Sequence, residues 1–314
     1  MQAGQPDLQL REDPRLVRLV IAAPAVSRSL DKIGRSKMDR VAMPQIRRAF
    51  VNLLLACLVL TIPAMPAAAG GPALTAQPPA TPIAKSDARS GVLTLAGGAY
   101  AYLPKGRTGT PVPVLVALHG AGGQAADVLE SFRDAADANG IVLVIPQSSK
   151  GTWDMIEDLK SRLGLEMNVT PRYGKDLKAL DTALADLFTK IAVDPARVGI
   201  MGFSDGATYA LSVGTANPQL FHRVIAFSPG PAFLGKSAPD QFVFISHGED
   251  DRVLPYATTR GHVAKLRVRN VPVEFEKFSG GHEVPKAIKE KAMAFFRDPV
   301  AATAASAGGT ASAP

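Results

Sequence analysis

The chain holds 314 residues, 46% apolar and 20% charged, enough for one or two globular domains with a sizeable core. Its net charge of +7 sits mostly at the front: residues 1–48 carry ten Lys/Arg against five Asp/Glu, a surplus of five that leaves +2 for the rest. No basic stripe argues for a nucleic-acid partner, and the one cysteine, Cys57, excludes an internal disulfide, a multi-thiolate metal site and, by its position described next, a cysteine nucleophile.

Residues 49–84 carry no charge, and 49–63 form a short apolar run preceded by Arg47-Arg48 and followed by Ala67-Ala68-Ala69. A basic flank, an apolar core and an A-x-A site are the parts of a secretory signal peptide. The run is shorter than the ~20 residues a spanning helix needs. The expectation is a signal peptide at 43–69 cleaved near Ala69, hence an exported protein with no stable membrane insertion; an uncleaved anchor is the alternative. The arginine pair loosely resembles a twin-arginine signal but suits the general route too. Residues 1–42 read as an over-extended, disordered N-terminus, with Met38 or Met43 as the start. Cys57 lies inside the apolar core, where apolar residues continue past it, unlike a lipoprotein site.

Residues 70–90, rich in Pro, Ala, Gly and Thr, read as a linker, and 298–314, mostly Ala, Ser, Gly and Thr, as a disordered tail. Between them, 91–297 alternates strand and helix patterns. Residues 91–95 and 99–103 suggest a hairpin turning at Gly97-Gly98. Strands follow at 112–118, 141–146, 197–201, 223–227, 242–246 and 273–278. Helices are expected at 125–139, 176–191, 256–268 and 284–296, and another after Gly206. In the second, Leu177, Leu180, Leu184, Leu187 and Ile191 share one face. Such alternation predicts an α/β fold with a mostly parallel sheet covered by helices on both faces.

In sheets of this kind working residues gather beyond the carboxyl ends of the strands. Four such ends stand out. The 112–118 strand runs into His119-Gly120-Ala121-Gly122-Gly123, and the 197–201 strand into Gly202-Phe203-Ser204-Asp205-Gly206. The 242–246 strand runs into His247-Gly248-Glu249-Asp250-Asp251, and the 273–278 strand into Ser279-Gly280-Gly281-His282. Strand, G-x-S-x-G, helix is the nucleophile-elbow arrangement: small residues two places either side let strand and helix approach while the hydroxyl stands clear. The pentapeptide alone also fits a plain glycine-bounded turn. A glycine turn, a serine, a carboxylate and a histidine on one sheet edge, in the chain order Ser…Asp…His, do not.

On these stretches, together with Ser228-Pro229-Gly230, Arg252-Val253-Leu254-Pro255 and Glu283-Val284-Pro285, residues 112–296 resemble the α/β-hydrolase superfamily. They resemble above all the small serine esterases of the phospholipase/carboxylesterase group, which are similar in turn to polyester depolymerases and feruloyl esterases. The resemblance implies Ser204 as nucleophile and His282 as base. Of the five histidines, only His282 lies on a glycine-flanked loop after the last strand; His222 and His262 lie beside or within helices, and the resemblance gives His119 a structural role. Glu249, Asp250 and Asp251 compete for the acid. The resemblance points to the residue four after His247, Asp251, with Asp250 second. The oxyanion donors would be the backbone N–H of Asp205 and, by resemblance, that of Ala121. The Asp205 side chain is expected to turn away and cap its helix.

Trp153 either lines the substrate groove or anchors the core. Residues 230–241 are too few for the cap domain usual at that point, so an open site is expected, with the insertion 155–173 as one wall. No metal or cofactor is implied, because the histidines do not form ligand pairs at helical spacing. The implied activity is cleavage of small or polymeric carboxylic esters through an acyl-enzyme. A thioesterase or peptidase of the same fold, and a non-catalytic binding protein, are the alternatives.

Overall fold

The computed structural model describes residues 71–81, 83, 89–107, 110–162 and 170–308, all within the unit Met65–Pro314. The expected N-terminal extension and signal peptide lie outside them. Strands β1 (Gly91–Thr94) and β2 (Tyr100–Leu103) form the hairpin, joined through a single 3-10 turn at Ala96–Gly98. Then come β3 (Val112–Leu118), β4 (Val142–Ile145), β5 (Val193–Phe203), β6 (Arg223–Phe227), β7 (Phe242–Gly248) and β8 (Val273–Phe278). All eight join one sheet in the order β1-β2-β4-β3-β5-β6-β7-β8. The β1–β2 and β2–β4 pairings are antiparallel and the rest parallel, so the sheet is mostly parallel as expected.

The helices are α1 (Ala125–Asn139), α2 (Asp154–Arg162), α3 (Lys175–Lys190), α4 (Asp205–Ala216), α5 (Tyr256–Val268), α6 (Lys286–Arg297) and α7 (Pro299–Gly308). Side chains alternate across the strands and feed two apolar layers. Val114 and Val116 join Leu180, Leu184 and Leu187 of α3, Leu211 of α4 and Leu266 of α5 on one face. Leu115 and Ala117 join Val128 of α1 and Ile288, Phe295 and Phe296 of α6 on the other. Each fully buried Leu or Phe contributes ~1.5–3 kcal/mol by leaving water, which fixes the sheet between its helices. The parallel register sets Leu118 beside Gly202, Phe203 beside Phe227, Phe227 beside Ser246 and Gly248 beside Phe278. The four chemistry-bearing turns therefore leave the sheet on one edge.

Two expectations change. Residues 71–77 are not a free linker: Leu74 and Ala76 are buried in the first layer. The buried Asn217 side chain accepts the Leu74 N–H (2.8 Å) and donates to Pro72 and Val213 carbonyls (2.5 and 2.8 Å), while Asp181 accepts the amides of Thr75 and Ala76 (both 2.8 Å). The tail forms α7 over the ten residues after Asp298, because alanine-rich sequence is strongly helical and Asp298 caps it, accepting the Ala301 N–H at 3.0 Å. The insertion folds locally as α2. Among the described residues no helix is long and apolar enough to cross a membrane.

Asn217→Ala leaves several buried backbone groups unpaired and is expected to cost about 2 kcal/mol of stability in urea unfolding. Glu274 of β8 is buried and its Oε2 has no hydrogen-bond partner among the described residues, since the nearby Lys291 is held by Glu276 at 2.6 Å. Burial, reinforced by the Glu276 charge, pushes its carboxyl up to about 7. A carboxyl raised in this way favours the fold while protonated, and that contribution is lost as pH rises through about 7. Glu274→Gln should raise Tm by a few degrees near pH 8 and leave it unchanged near pH 4, read by calorimetry.

Candidate active site

β5 delivers Ser204 and α4 starts at the next residue. Ser204 has φ 56 and ψ −122, a conformation that L-residues adopt only under constraint. A Cβ on Gly202 would stand 2.3 Å from the Gly206 carbonyl, and one on Gly206 would stand 2.4 Å from the His119 carbonyl, so neither position admits a side chain. The Ser204 N–H donates to Phe227 O at 2.9 Å, and the Ser204 carbonyl accepts the Thr208 N–H at 3.0 Å. The hydroxyl is the free end of a turn fixed on both sides.

The His282 ring stands against it, with Nε2 2.8 Å from Ser204 Oγ and Nδ1 2.6 Å from Asp251 Oδ2. Of the three competing carboxylates, Asp251 is the one that meets the imidazole; Asp250 is exposed and Glu249 pairs with Lys277 at 3.0 Å. The Asp251 side chain is 0% exposed. Its Oδ1 accepts the N–H groups of Val253 (2.8 Å) and Leu254 (2.9 Å). Burial by itself would raise its pKa; the His282 hydrogen bond and the two amides outweigh it and hold the carboxyl below its ordinary range. What Asp251 adds to stability is present above the unfolded carboxylate range and lost as pH falls through its own lower value.

The sequence reading missed a second imidazole on this carboxylate. His247 Nε2 lies 3.1 Å from Asp251 Oδ2 and 3.0 Å from Leu254 O, and its Nδ1 lies 2.7 Å from Thr259 Oγ1. Burial lowers its pKa, and these partners suit a neutral ring that donates from Nε2 and accepts the Thr259 hydroxyl at Nδ1. The spacing that names Asp251, four residues after His247, is the spacing that brings this ring onto it.

The turn after β3 packs on the serine: a Cβ on Gly120 would lie 3.2 Å from Ser204 Cβ. His119 holds it from behind. Its Nε2 accepts the Ser148 N–H at 3.1 Å, so Nδ1 carries the proton and donates to Gly120 O at 2.7 Å. Among the described residues, neither the Ala121 N–H nor the Asp205 N–H has a hydrogen-bond partner. Asp205 does turn its carboxylate away, but not to cap α4: Oδ2 accepts from Thr152 Oγ1 (2.7 Å), just ahead of the insertion, and from Lys160 Nζ (3.2 Å) within it. Trp153 does not line a groove. It is 1% exposed, packs its ring on His119 and Tyr209 at 4.9 and 5.1 Å, and donates Nε1–H to His119 O at 2.9 Å. It is a core anchor whose indole steadies the glycine turn. Among the described residues, no group of His, Cys, Asp or Glu is arranged to hold a metal.

Chemically, an imidazole with one nitrogen on a hydroxyl and the other on a buried carboxylate can take the hydroxyl proton and carry the resulting charge. The Esterase family model matches residues 96–251, which take in the glycine turn, Ser204 and Asp251 and stop before His282. Over these residues the chain is similar to the Esterase family. That similarity supports a hydrolase acting on ester bonds. The chain's fold is similar to that of the esterase PE8 structure, at 23% identity over 67% of this chain and 98% of that one, with a TM-score of 0.46. It is similar as well to the phospholipase/carboxylesterase of Dyadobacter fermentans (21%, 68% and 100%, 0.44) and the Bacillus cereus carboxylesterase (20%, 63% and 92%, 0.46). No curated protein matches this chain.

Proposed function

We propose that the protein is an exported serine carboxylesterase that works through an acyl-enzyme. The observation that carries this reading is the unbroken line from Asp251 through His282 to Ser204, at 2.6 and 2.8 Å. Ser204 Oγ attacks the ester carbonyl carbon while its proton passes to His282 Nε2. The carbonyl oxygen becomes an oxyanion between the N–H groups of Asp205 and Ala121, each such donor being worth ~10²–10³ in rate. The intermediate collapses, and the alcohol leaves with the proton from His282. Water, deprotonated by the same ring, then attacks the acyl-enzyme, releasing the acid and restoring Ser204. Asp251 keeps the Nδ1 proton in place and offsets the imidazolium charge. Export rests on the basic–apolar–A-x-A pattern at 43–69.

Ser204→Ala is expected to lower nitrophenyl-ester kcat by at least about a thousandfold and to abolish labelling by a fluorophosphonate probe. Asp251→Asn should lower kcat by about 10³–10⁴, whereas Asp250→Asn retains it. Full labelling of Ser204→Ala would sink the serine reading. The Asp205 carboxylate beside the oxyanion site generates a further expectation. Lys160→Met leaves that charge less compensated and should lower kcat about threefold at low salt, with the loss erased in the Lys160→Met, Asp205→Asn double variant.

A further inference from the structure

Beside the reacting groups, a cavity of about 400 Å³ opens under the glycine turn, on the α1/α6 face of the sheet. This is the size range of small-ligand sites. Gly120 and Phe203 form its inner end, the end nearest Ser204: a Cβ on Gly120 would lie 3.2 Å from Ser204 Cβ, and Phe203 precedes Ser204 in the chain. The Phe203 ring, packed on the His282 ring at 4.7 Å, is the wall shared by imidazole and cavity. Farther from Ser204 the lining is apolar: Val128, Phe132, Met201 and Phe227. Phe132 and Phe227 stack at 6.2 Å. At the outer end Lys289 reaches across from α6, donating to Ser131 O at 2.7 Å with its ammonium 4.8 Å over the Phe132 ring. Asp127 shares that rim, so the rim offers one cation and one carboxylate and no net charge to select an acidic tail.

We infer that this cavity receives the acyl part of the ester, and that the preferred substrates carry neutral, apolar, medium-length acyl groups. The inference rests on the serine reading above. An ester carbonyl lodged at the Ala121 and Asp205 N–H groups has its acyl side next to Phe203 and Gly120, the inner end of the cavity, while the alcohol is left toward solvent. Each methylene taken out of water into such a lining is worth roughly fourfold in binding. An acetyl group fills only the inner end; an octanoyl group reaches the Phe132–Phe227 pair.

The test is kcat/KM for the nitrophenyl acetate, butyrate and octanoate series on the full chain. Wild type is expected to favour octanoate over acetate by at least about tenfold. Val128→Phe fills the cavity from α1 and should cut that octanoate-to-acetate ratio by about tenfold. Ser131→Trp, at an exposed position of the same helix, narrows the outer end without touching the core and should cut the ratio in the same direction even if Val128→Phe does not fold. A wild-type ratio near one, or a ratio unchanged in both variants, overturns the pocket while Ser204-dependent turnover of acetate leaves the serine reading standing. Loss of fluorophosphonate labelling at Ser204 in folded wild type strikes the serine reading instead.

Discussion

The arrangement turns on how closely a strand and a helix can approach at Ser204. A residue with φ 56 between β5 and α4 is held against its own preference, and the restraint comes from two positions without side chains. Gly202 lies against the Gly206 backbone, and Gly206 against the carbonyl that ends β3. The second contact matters more for chemistry than the first. It brings the glycine turn after β3, which bears the proposed Ala121 donor, onto the serine. A methyl at Gly206 would therefore displace that turn along with the hydroxyl.

The carboxylate side of the site follows a different logic. The Asp251 side chain is wholly buried and accepts from two amides of its own turn and from the His282 ring, with the His247 ring 3.1 Å away. A buried charge with fewer partners would raise its own pKa and neutralise itself. With these partners it stays ionised and has one orientation, which sets the imidazole of His282. His247 is fixed in turn by Thr259 of α5, so the helix after β7 helps aim a group carried by the loop after β8. The acid is thus positioned by tertiary contacts that the His-Gly-x-x-Asp spacing marks without explaining.

The sheet and its working edge were legible in sequence because parallel strands, buried on both faces, leave unbroken apolar runs such as 112–118 and because glycine turns punctuate their ends. Ser204, Asp251 and His282 could be brought together without coordinates, since their order along the chain and their positions at strand ends are one-dimensional properties. What escaped has no such pattern. Leu74 and Ala76 sit in a Pro- and Ala-rich stretch whose docking depends on Asn217 and Asp181, more than a hundred residues away. The alanines of α7 read as low complexity until Asp298 is seen to cap them. Trp153 could be placed near the edge but not on either side of it, because burial of a lone aromatic is decided by its neighbours, here His119 and Tyr209.

The segment 152–162 after β4 ties these pieces into one mechanism of support. Thr152 and Lys160 hold the Asp205 carboxylate, Trp153 holds the His119 carbonyl, and Asp154 accepts the amides of Gly174 and Asp176 at 2.8 Å to seat α3. One short segment thus contacts the residue after the serine, the turn that bears the other proposed donor, and the helix that covers that face of the sheet. Among the described residues no cap covers the site, and the segment that walls it is hydrogen-bonded to the residue after Ser204 and to the glycine turn. The cavity proposed for the acyl group lies on the opposite face of the sheet, between α1 and α6, so the two faces divide the work of support and selection.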